Sequence, residues 1–351
     1  MSDLNEHTEE SGELFEHYRF VADHGQAPLR IDKYLFTKLA DASRNRIQNA
    51  AKAGNILVNE QPVKPNYKVK PRDIVNIVLA YPPRDTEIYP EEIAVDIVYE
   101  DKDILLVNKE AGMVVHPGHG NFSGTLLNAL VYYFQNTPEN VAIDAKPYLA
   151  HRIDKDTTGI LLIAKNELAQ SKLAKQFFDH TIERTYLALV WGDVSLDEGT
   201  ITGNIGRSVR DRTVMAIFDD EEAGRHAVTH YRVVERFGYV TLVECRLETG
   251  RTHQIRAHLK HIGHPLFNDA MYGGDQILKG TTFTKYNQFI RNCFTLMPRQ
   301  ALHAKSLGFI HPTTRKPMHF DSELPDDFLG VVEKWRRYVS SPFPTSPKGE
   351  E

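Results

Sequence analysis

A short polar segment in the middle of the chain carries the residue types that acid–base or nucleophilic chemistry requires. Arg152, Asp154 and Asp156 lie within residues 151–159 (H-R-I-D-K-D-T-T-G), directly before the apolar run 160–164. Such a run is typical of a fully buried strand, so the polar segment must lie against the core. Because an unpaired buried charge is costly, we expect one of the two carboxylates to be held against a cation.

The segment resembles the H-R-L-D-x-x-T-S-G-L-L-L signature of the RluA-type pseudouridine synthase family. The resemblance implies that Asp154 is the catalytic residue. It also implies that Arg152 enters the space left by a flipped-out nucleotide, where a planar cation can stack or bind phosphate. Without the resemblance, Asp154 would be interpreted as a turn-capping residue and Arg152 as a salt-bridge partner. Asp156 fits a turn-stabilising or solvent-facing role better.

A second stretch, residues 184–192 (R-T-Y-L-A-L-V-W-G), resembles the K-x-Y-x-A-x-V-x-G strand of the same family. The resemblance implies that Tyr186 stacks on the uracil and could serve as an acid or base. The alternative is a strand tyrosine that only packs against the sheet. Arg184 stands where the family usually has Lys, and the two cations differ in geometry.

A third stretch, residues 248–258 (E-T-G-R-T-H-Q-I-R-A-H), resembles the family's T-G-R-T-H-Q-I-R-x-H motif. We expect Arg256 to be the cation that pairs with Asp154, because a neighbouring positive charge favours the ionised carboxylate. Arg251 is expected to contact phosphate or to shape the pocket, although the two arginines could exchange roles. Ile255 would provide an apolar contact to the base.

The reaction that the resemblance implies breaks the N1–C1′ bond of uridine and forms a C5–C1′ bond. It is redox-neutral and needs no external energy, so we expect no cofactor, and the sequence has neither a G-x-G-x-x-G motif nor a Walker loop. Four histidines between residues 253 and 264 raise the alternative of a His-metal hydrolase. Their spacing is not H-E-x-x-H, and we expect no metal.

The elements that must position these residues indicate an α+β protein. Amphipathic patterns predict helices at 125–133 and 169–179, and predicted strands outnumber helices. This pattern favours a mixed, largely antiparallel sheet with flanking helices over a doubly wound parallel sheet. The synthase core of the family that the chain resembles is of this mixed kind. The predicted strands are 104–107, 160–164, 186–190, 240–246 and 309–310.

Residues 28–80 predict a smaller α+β module that precedes this core. Ile31, Leu35 and Leu39 recur at helical spacing, Ser43 is a candidate N-cap for a second helix, and short strands follow. The whole module resembles an S4 RNA-binding domain. The alternative is an ordinary solvated helix face. The basic residues that the resemblance implies for RNA binding are Lys33, Arg44, Arg46 and Lys52.

The chain has 351 residues and a net charge of −5, and its charge is unevenly distributed. Residues 1–27 hold one basic residue against seven acidic ones, whereas residues 28–80 hold ten basic residues against four acidic ones. A phosphate backbone responds to local charge within a Debye length of ~10 Å. The negative total therefore does not exclude RNA as a partner.

These patterns predict five segments: an acidic mobile arm (1–27), the S4-like RNA-binding domain (28–80), a Pro-rich linker (81–92), the catalytic domain (93–338) and a disordered tail (339–351). No apolar run approaches the ~20 residues that span a bilayer. Two cysteines do not indicate a disulfide framework. We therefore expect a cytoplasmic, monomeric protein that contacts no membrane.

The resemblance implies an enzyme that isomerises specific uridines in RNA to pseudouridine. The expected partner is large-subunit (23S-type) ribosomal RNA or a pre-ribosomal particle. A synthase acting on tRNA and a non-catalytic RNA-binding ribosome-assembly factor are the alternatives. The identity of the uridines, and whether Asp154 attacks C1′ or C6, stay open at this point.

Overall fold

The computed structural model describes residues 15–39, 42–79, 88–118, 121–220 and 223–340. The chain divides into two compact units after Glu87. The predicted α+β class, with a mixed and largely antiparallel sheet, is confirmed. No helix among the described residues is long and apolar enough to cross a membrane.

The N-terminal unit is a small α+β module with two sheets. One sheet has the strand order β1-β6-β3-β4, and β2 pairs with β5 in the other. Its core consists of apolar side chains from both helices and from the strands, among them Ile31, Leu35, Ile47, Ile56 and Val75. Its elements are β1 (Phe15–Val21), β2 (Leu29–Arg30), α1 (Ile31–Lys38), α2 (Arg44–Lys52), β3 (Ile56–Val58), β4 (Gln61–Pro62), β5 (Lys68–Val69) and β6 (Ile74–Leu79).

Strand β1 corrects the expectation of a mobile arm over residues 1–27. It runs antiparallel to β6, from the Phe15–Leu79 pair to the Val21–Ile74 pair. Phe20 packs against the core of the unit, and this burial outweighs the acidic composition on which the expectation rested. The first fourteen residues of the expected arm lie outside the described part of the chain.

The C-terminal unit is built on one sheet of eleven strands with helices against it. Its elements are β7 (Ile97–Glu100), β8 (Ile104–Lys109), α3 (Leu126–Asn136), α4 (Pro138–Ala142), β9 (Tyr148–Leu149), β10 (Thr158–Ala164), α5 (Glu167–Phe178), β11 (Glu183–Trp191), β12 (Glu198–Arg207), β13 (Met215–Phe218), β14 (Arg225–Arg236), β15 (Val240–Leu247), α6 (Gln254–His261), a short 3-10 helix (Ala270–Tyr272), α7 (Thr284–Leu296), β16 (Leu302–Ile310), β17 (Pro317–Asp321) and α8 (Asp326–Ser340).

The strands of this sheet follow the order β13-β12-β14-β15-β11-β16-β10-β8-β7, with β17 on β16 and β9 on β10. β10 and β16 are parallel, and every other strand pair in the described part of this unit is antiparallel. Alternate residues of β8 and β10 belong to two different hydrophobic clusters, one with α3 and the other with α5. Both faces of β10 are thus covered, which is why residues 160–164 form a continuous apolar run.

Two further predicted boundaries differ from the structure. Tyr89 and Glu91, which fell in the expected linker, bond through their backbone to Asn128 of α3, and residues 81–87 lie outside the described part of the chain. α8 extends to Ser340, two residues into the expected disordered tail, because it packs Phe328 and Trp335 into the core. The rest of that tail is likewise outside the described residues.

Candidate active site

Asp154 lies in a turn that immediately precedes β10. The Thr157 N–H donates to the Asp154 carbonyl oxygen across 3.1 Å, which closes the turn. Gly159, at φ +111°, lets β10 approach β16 so closely that a Cβ there would lie 2.2 Å from the Ala304 carbonyl oxygen. The turn is therefore set by close backbone packing, while the Asp154 side chain keeps 24% of its surface exposed.

Two buried cations hold the backbone of the same turn. The Lys109 ammonium donates to the Lys155 carbonyl oxygen across 2.8 Å, and the Arg299 guanidinium donates to the Asp156 carbonyl oxygen across 3.1 Å. Burial lowers the pKa of Lys109 to about 8, although nearby carboxylates oppose this. Neither cation was identified from the sequence. The sequence does place Lys109 at the end of a buried strand. A charge in such a position needs partners to offset the cost of its burial, and this could have identified it.

Arg256, on α6, joins two carboxylates. Its Nη1 lies 3.1 Å from the Asp154 Oδ2, and its Nε and Nη2 donate to the two Asp269 oxygens across 2.7 and 2.8 Å. Burial disfavours the charge on Arg256, but its hydrogen bonds and charge contacts with Asp269 and Asp154 outweigh burial and raise its pKa. The guanidinium therefore stays charged beside Asp154.

His253 and Tyr272 complete the surroundings of this ion pair. The His253 Nε2 lies 3.9 Å from the Asp154 Oδ1, and its Nδ1 lies 3.1 Å from the Tyr272 hydroxyl. That hydroxyl also accepts a hydrogen bond from the Met215 N–H. Burial lowers the pKa of His253, with the positive charge of Arg256 adding to it and Asp154 opposing it.

A cavity of about 710 Å³ opens over Asp154. The other predicted catalytic and substrate-binding residues, Tyr186, Arg256, Arg152, Arg251 and Ile255, also line it. Tyr186 is 9% exposed, and burial raises its pKa, so the phenol is neutral at physiological pH. Among the described residues that line the cavity, one carboxylate faces five cations. These cations are Arg152, Lys155, Arg184, Arg251 and Arg256.

The geometry separates the roles of the two arginines of the third motif. Arg251 Nε donates to the His226 carbonyl oxygen across 3.1 Å, whereas it is Arg256 that contacts Asp154. Arg152 has an exposed side chain whose Nη2 lies 3.4 Å from the Thr252 hydroxyl. Arg152 is therefore not the salt-bridge partner of the catalytic-site carboxylate.

In the N-terminal unit, the predicted RNA-binding residues differ in their surroundings. Lys33 and Lys52 are exposed. Arg44 is also exposed, but its Nη2 lies 3.0 Å from an oxygen of Asp32, a buried carboxylate, so Arg44 has a structural partner. Burial opposes the charge on Asp32, but hydrogen bonds from Gln48, Arg44 and Arg30 outweigh it and lower the pKa of Asp32. The side chain of Arg46 is outside what the structure describes.

The histidines that raised the metal alternative do not converge on a common point. His253, His258 and His264 each bond through Nδ1 to a different group. These groups are the Tyr272 hydroxyl, the Thr229 hydroxyl and the Trp191 carbonyl.

In the described part of the chain, one cluster brings three potential metal-ligand atoms within 4.8 Å: Asp101, Asp103 and His311. The His311 Nδ1 accepts hydrogen bonds from the backbone N–H groups of Thr313 and Thr314. Its Nε2 therefore carries the proton and donates to Asp101 across 2.9 Å. The cluster is explained by this hydrogen bond.

Comparison with known proteins decides the family. Residues 103–261 match the family model for RNA pseudouridylate synthase, and residues 29–75 match that for the S4 domain. An uncharacterized RNA pseudouridine synthase of Chlorobaculum parvum is 46% identical over 318 residues, which cover 90% of this chain and 97% of that protein. The chain belongs to the RNA pseudouridine synthase family. The resemblance seen in its motifs is confirmed, and the protein is an enzyme that isomerises uridine in RNA.

Other relatives of this pseudouridine synthase agree with that assignment. Ribosomal large subunit pseudouridine synthase D of Zymomonas mobilis is 41% identical over 300 residues, which cover 85% of this chain and 91% of the relative. Human RNA Pseudouridylate Synthase Domain Containing 4, a solved structure, superposes with a TM-score of 0.52 over 69% of this chain and 93% of its own. At 21% identity, the human protein shows that the fold is shared.

Proposed function

We propose that this pseudouridine synthase acts on uridines of large-subunit ribosomal RNA and uses Asp154 as its catalytic carboxylate. The observation that carries the proposal is the Asp154–Arg256 contact of 3.1 Å at the floor of a cation-lined cavity. A carboxylate that is held by a buried guanidinium and open to a cavity can act as a nucleophile or base. It can reach either C1′ or C6 of a uridine that enters the cavity.

The other cavity residues have complementary roles in this proposal. Tyr186 stacks on the uracil, because its buried phenol presents a ring to the cavity, and Ile255 contributes an apolar contact beside it. Arg152, exposed at the cavity, enters the space that the flipped nucleotide vacates. Arg251 contacts phosphate or shapes the pocket. A uridine inside a helix must leave its stack to reach such a pocket, and filling the gap offsets part of that cost.

The substrate proposal is supported by two findings. Relatives at about 40% identity over most of the chain are named ribosomal large subunit pseudouridine synthase D. The S4 match covers the N-terminal unit, whose exposed Lys33 and Lys52 can contact phosphate. We further propose that the enzyme works as a cytoplasmic monomer on rRNA or a pre-ribosomal particle. tRNA is the alternative substrate.

The test is release of tritium from RNA labelled with [5-³H]uridine, because forming the C5–C1′ bond expels that hydrogen. Large-subunit rRNA and tRNA are assayed in parallel, and release from rRNA alone is expected. Mapping pseudouridines in total RNA of a strain that lacks the gene then identifies the sites. Release from tRNA alone would overturn the rRNA proposal. If neither RNA releases tritium, the alternative of a non-catalytic RNA-binding protein would be favoured.

Asp154→Asn is expected to lower the rate of tritium release by about 10³-fold or more, since the amide cannot act as base or nucleophile. RNA affinity should stay within a few-fold of the wild-type value. Asp156→Asn, at the neighbouring carboxylate of the same turn, is the matched control and should retain most activity. Substantial turnover by Asp154→Asn would show that the catalytic carboxylate is misassigned.

A further inference from the structure

Phe178, the last residue of α5, presents an aromatic ring to solvent beside the active-site cavity. Its side chain is 82% exposed, and it lines the same cavity as Asp154 and Tyr186. The preceding residue, Phe177, is half-buried and stacks on the His151 ring at a centroid distance of 4.6 Å. Phe177 therefore anchors the end of the helix, whereas Phe178 does not pack into the core.

The backbone around Phe178 is well fixed. The Asp179 N–H donates to the Lys175 carbonyl oxygen across 2.8 Å, and the Thr181 N–H donates to the Gln176 carbonyl oxygen across 3.0 Å. These bonds close the C-terminal end of α5 on both sides of the ring. An exposed aromatic ring on an ordered helix end loses little conformational entropy when it is covered by a ligand.

The chemistry around the ring indicates what covers it. Arg152 and Lys155 are exposed at the same cavity, and five cations there face one carboxylate among the described lining residues. Such a surface favours an anionic ligand, while an exposed ring favours a flat apolar one. Single-stranded RNA combines both features, because its phosphates bind cations and its unstacked bases stack on aromatic side chains.

We propose that Phe178 is a stacking platform for a nucleobase that neighbours the target uridine in the substrate RNA. The inference rests on the proposed function, because it requires RNA at this cavity. Arg152 fills the place of the uridine in the helix, and an adjacent unpaired base can also leave the stack and lie on the Phe178 ring. The enzyme then favours targets whose neighbouring nucleotide is unpaired, since a paired neighbour cannot leave its helix without further cost.

The test compares Phe178 variants in the [5-³H]uridine rRNA assay. Phe178→Ala is expected to raise KM about 10-fold with kcat within a few-fold of the wild-type value, since stacking on an aromatic side chain is worth ~1–3 kcal/mol per base. Phe178→Tyr keeps the ring and should stay within about two-fold of the wild-type KM. Phe178→Leu keeps apolar area but no ring, and should behave like Phe178→Ala.

Leu168→Ala is the matched control, because Leu168 lies on the same helix, is 63% exposed and is not among the residues that line the cavity. It should leave KM unchanged, and thermal unfolding should show that all variants are folded. Equal KM values for Phe178→Ala and Leu168→Ala would overturn the stacking proposal. So would Phe178→Leu matching Phe178→Tyr, because burial of apolar area alone would then explain the contact.

Binding measurements separate this proposal from the function on which it rests. In the Asp154→Asn background, adding Phe178→Ala should weaken binding to an rRNA transcript about 10-fold without changing the slope of log affinity against log salt, because no phosphate contact is lost. If the wild-type enzyme releases no tritium, the proposed function fails. If release is normal but this affinity difference is missing, only the stacking proposal fails.

Discussion

The candidate catalytic carboxylate shares one guanidinium with a second, buried carboxylate. The Arg256 guanidinium donates two hydrogen bonds to Asp269 and one to Asp154. Asp269 therefore orients the guanidinium and leaves Nη1 directed towards Asp154. The Arg256 guanidinium also lies 4.9 Å from the Tyr272 ring centroid, which holds its plane. Asp269 is thus a positioning residue, which acts on Asp154 through Arg256.

Asp269→Asn is expected to reduce kcat on the order of 100-fold, because Arg256 loses one charged partner and its guanidinium can rotate away from Asp154. Breaking such a buried pair should also cost ~3 kcal/mol in the free energy of unfolding. Tritium release and urea unfolding measure the two effects.

Glu235→Gln is the control for Asp269→Asn, because Glu235 also accepts hydrogen bonds from the Nε and Nη2 of one arginine, Arg336, but in an exposed pair. It should change neither activity nor stability by much. A further readout is the split between kcat and KM. A fall in kcat with KM near the wild-type value supports positioning of Arg256, whereas an unchanged kcat in the folded variant would show that Asp269 only supports the fold.

Individual candidate site residues could be predicted from the sequence where they lie in contiguous motifs. Asp154, Tyr186 and Arg256 were identified from such motifs, and the structure brings them to one cavity. Asp269 and Tyr272 were missed because they lie in an irregular segment after α6, where neither periodicity nor spacing distinguishes one polar residue from another. Their contacts depend on how that segment folds back over α6, which no local pattern encodes.

The elements that shape the site meet at the parallel pair β10–β16. Gly159 is aligned with Ala304 there, in a backbone conformation that residues other than glycine rarely adopt. Because the turn that carries Asp154 ends where this pairing begins, any separation of the two strands displaces the carboxylate.

Gly159→Ala is expected to lower the free energy of unfolding by ~3 kcal/mol and to lower activity by more than 10-fold, because its Cβ would meet backbone that cannot rotate away. Gly238→Ala is the matched control: its φ is +78°, and a Cβ there meets nothing within 4 Å. It should cost only ~1 kcal/mol and leave activity intact. Equal losses in the two variants would show that strain in φ, and not the close approach to β16, makes Gly159 necessary.

Some of the strands and helices could be predicted from the sequence, and others could not. β8, β10, β11 and β15 were predicted because each is an apolar run between covered faces. β12, β13 and β14 were not predicted, because partly exposed strands mix charged residues with short apolar ones and their pattern is weak. α7 and α8 were also missed, although their buried residues recur at helical spacing, since polar and aromatic residues interrupt the apolar stripe.

For the whole molecule, three histidines of the C-terminal unit make stability depend on pH. His258 and His303 are buried, and His151 is half-buried. Burial lowers the pKa of His151 to about 3, and burial lowers the pKa values of His258 and His303 to about 4. All three pKa values lie below the ordinary value of 6.5, so the folded state keeps these rings neutral while the unfolded chain takes up protons. Stability is therefore fully present above pH 6.5 and falls as the pH decreases towards 4.

Urea unfolding between pH 7.5 and 4.5 should show this decline, and a variant that removes one of the rings should reduce its slope. His303→Asn is suitable because His303 bonds to the Thr158 and Ser322 hydroxyls, which an amide can also contact. The variant will be less stable at every pH. The informative quantity is therefore the difference in the free energy of unfolding between two pH values. An identical slope in wild type and variant would contradict the assignment of the acid sensitivity to these rings.

We expect the N-terminal unit to contribute to RNA binding and the C-terminal unit to carry out the reaction. Deleting residues 1–87 is expected to weaken binding to large-subunit rRNA and to reduce the slope of log affinity against log salt, because the phosphate contacts of the S4 unit are lost. Tritium release from short RNA fragments should persist. An unchanged salt slope would argue against RNA binding by that unit.

The pairing of β10 with β16 also determines when the active site can form. Thr158 pairs with His303 across some 145 residues of chain. Contacts between residues so distant in sequence are slow to form, because the intervening loop must close first. During synthesis, the turn that carries Asp154 leaves the ribosome long before its partner strand exists. In a nascent chain, Asp154 therefore lacks part of its surroundings, and the candidate site is complete only after the C-terminal strands have docked.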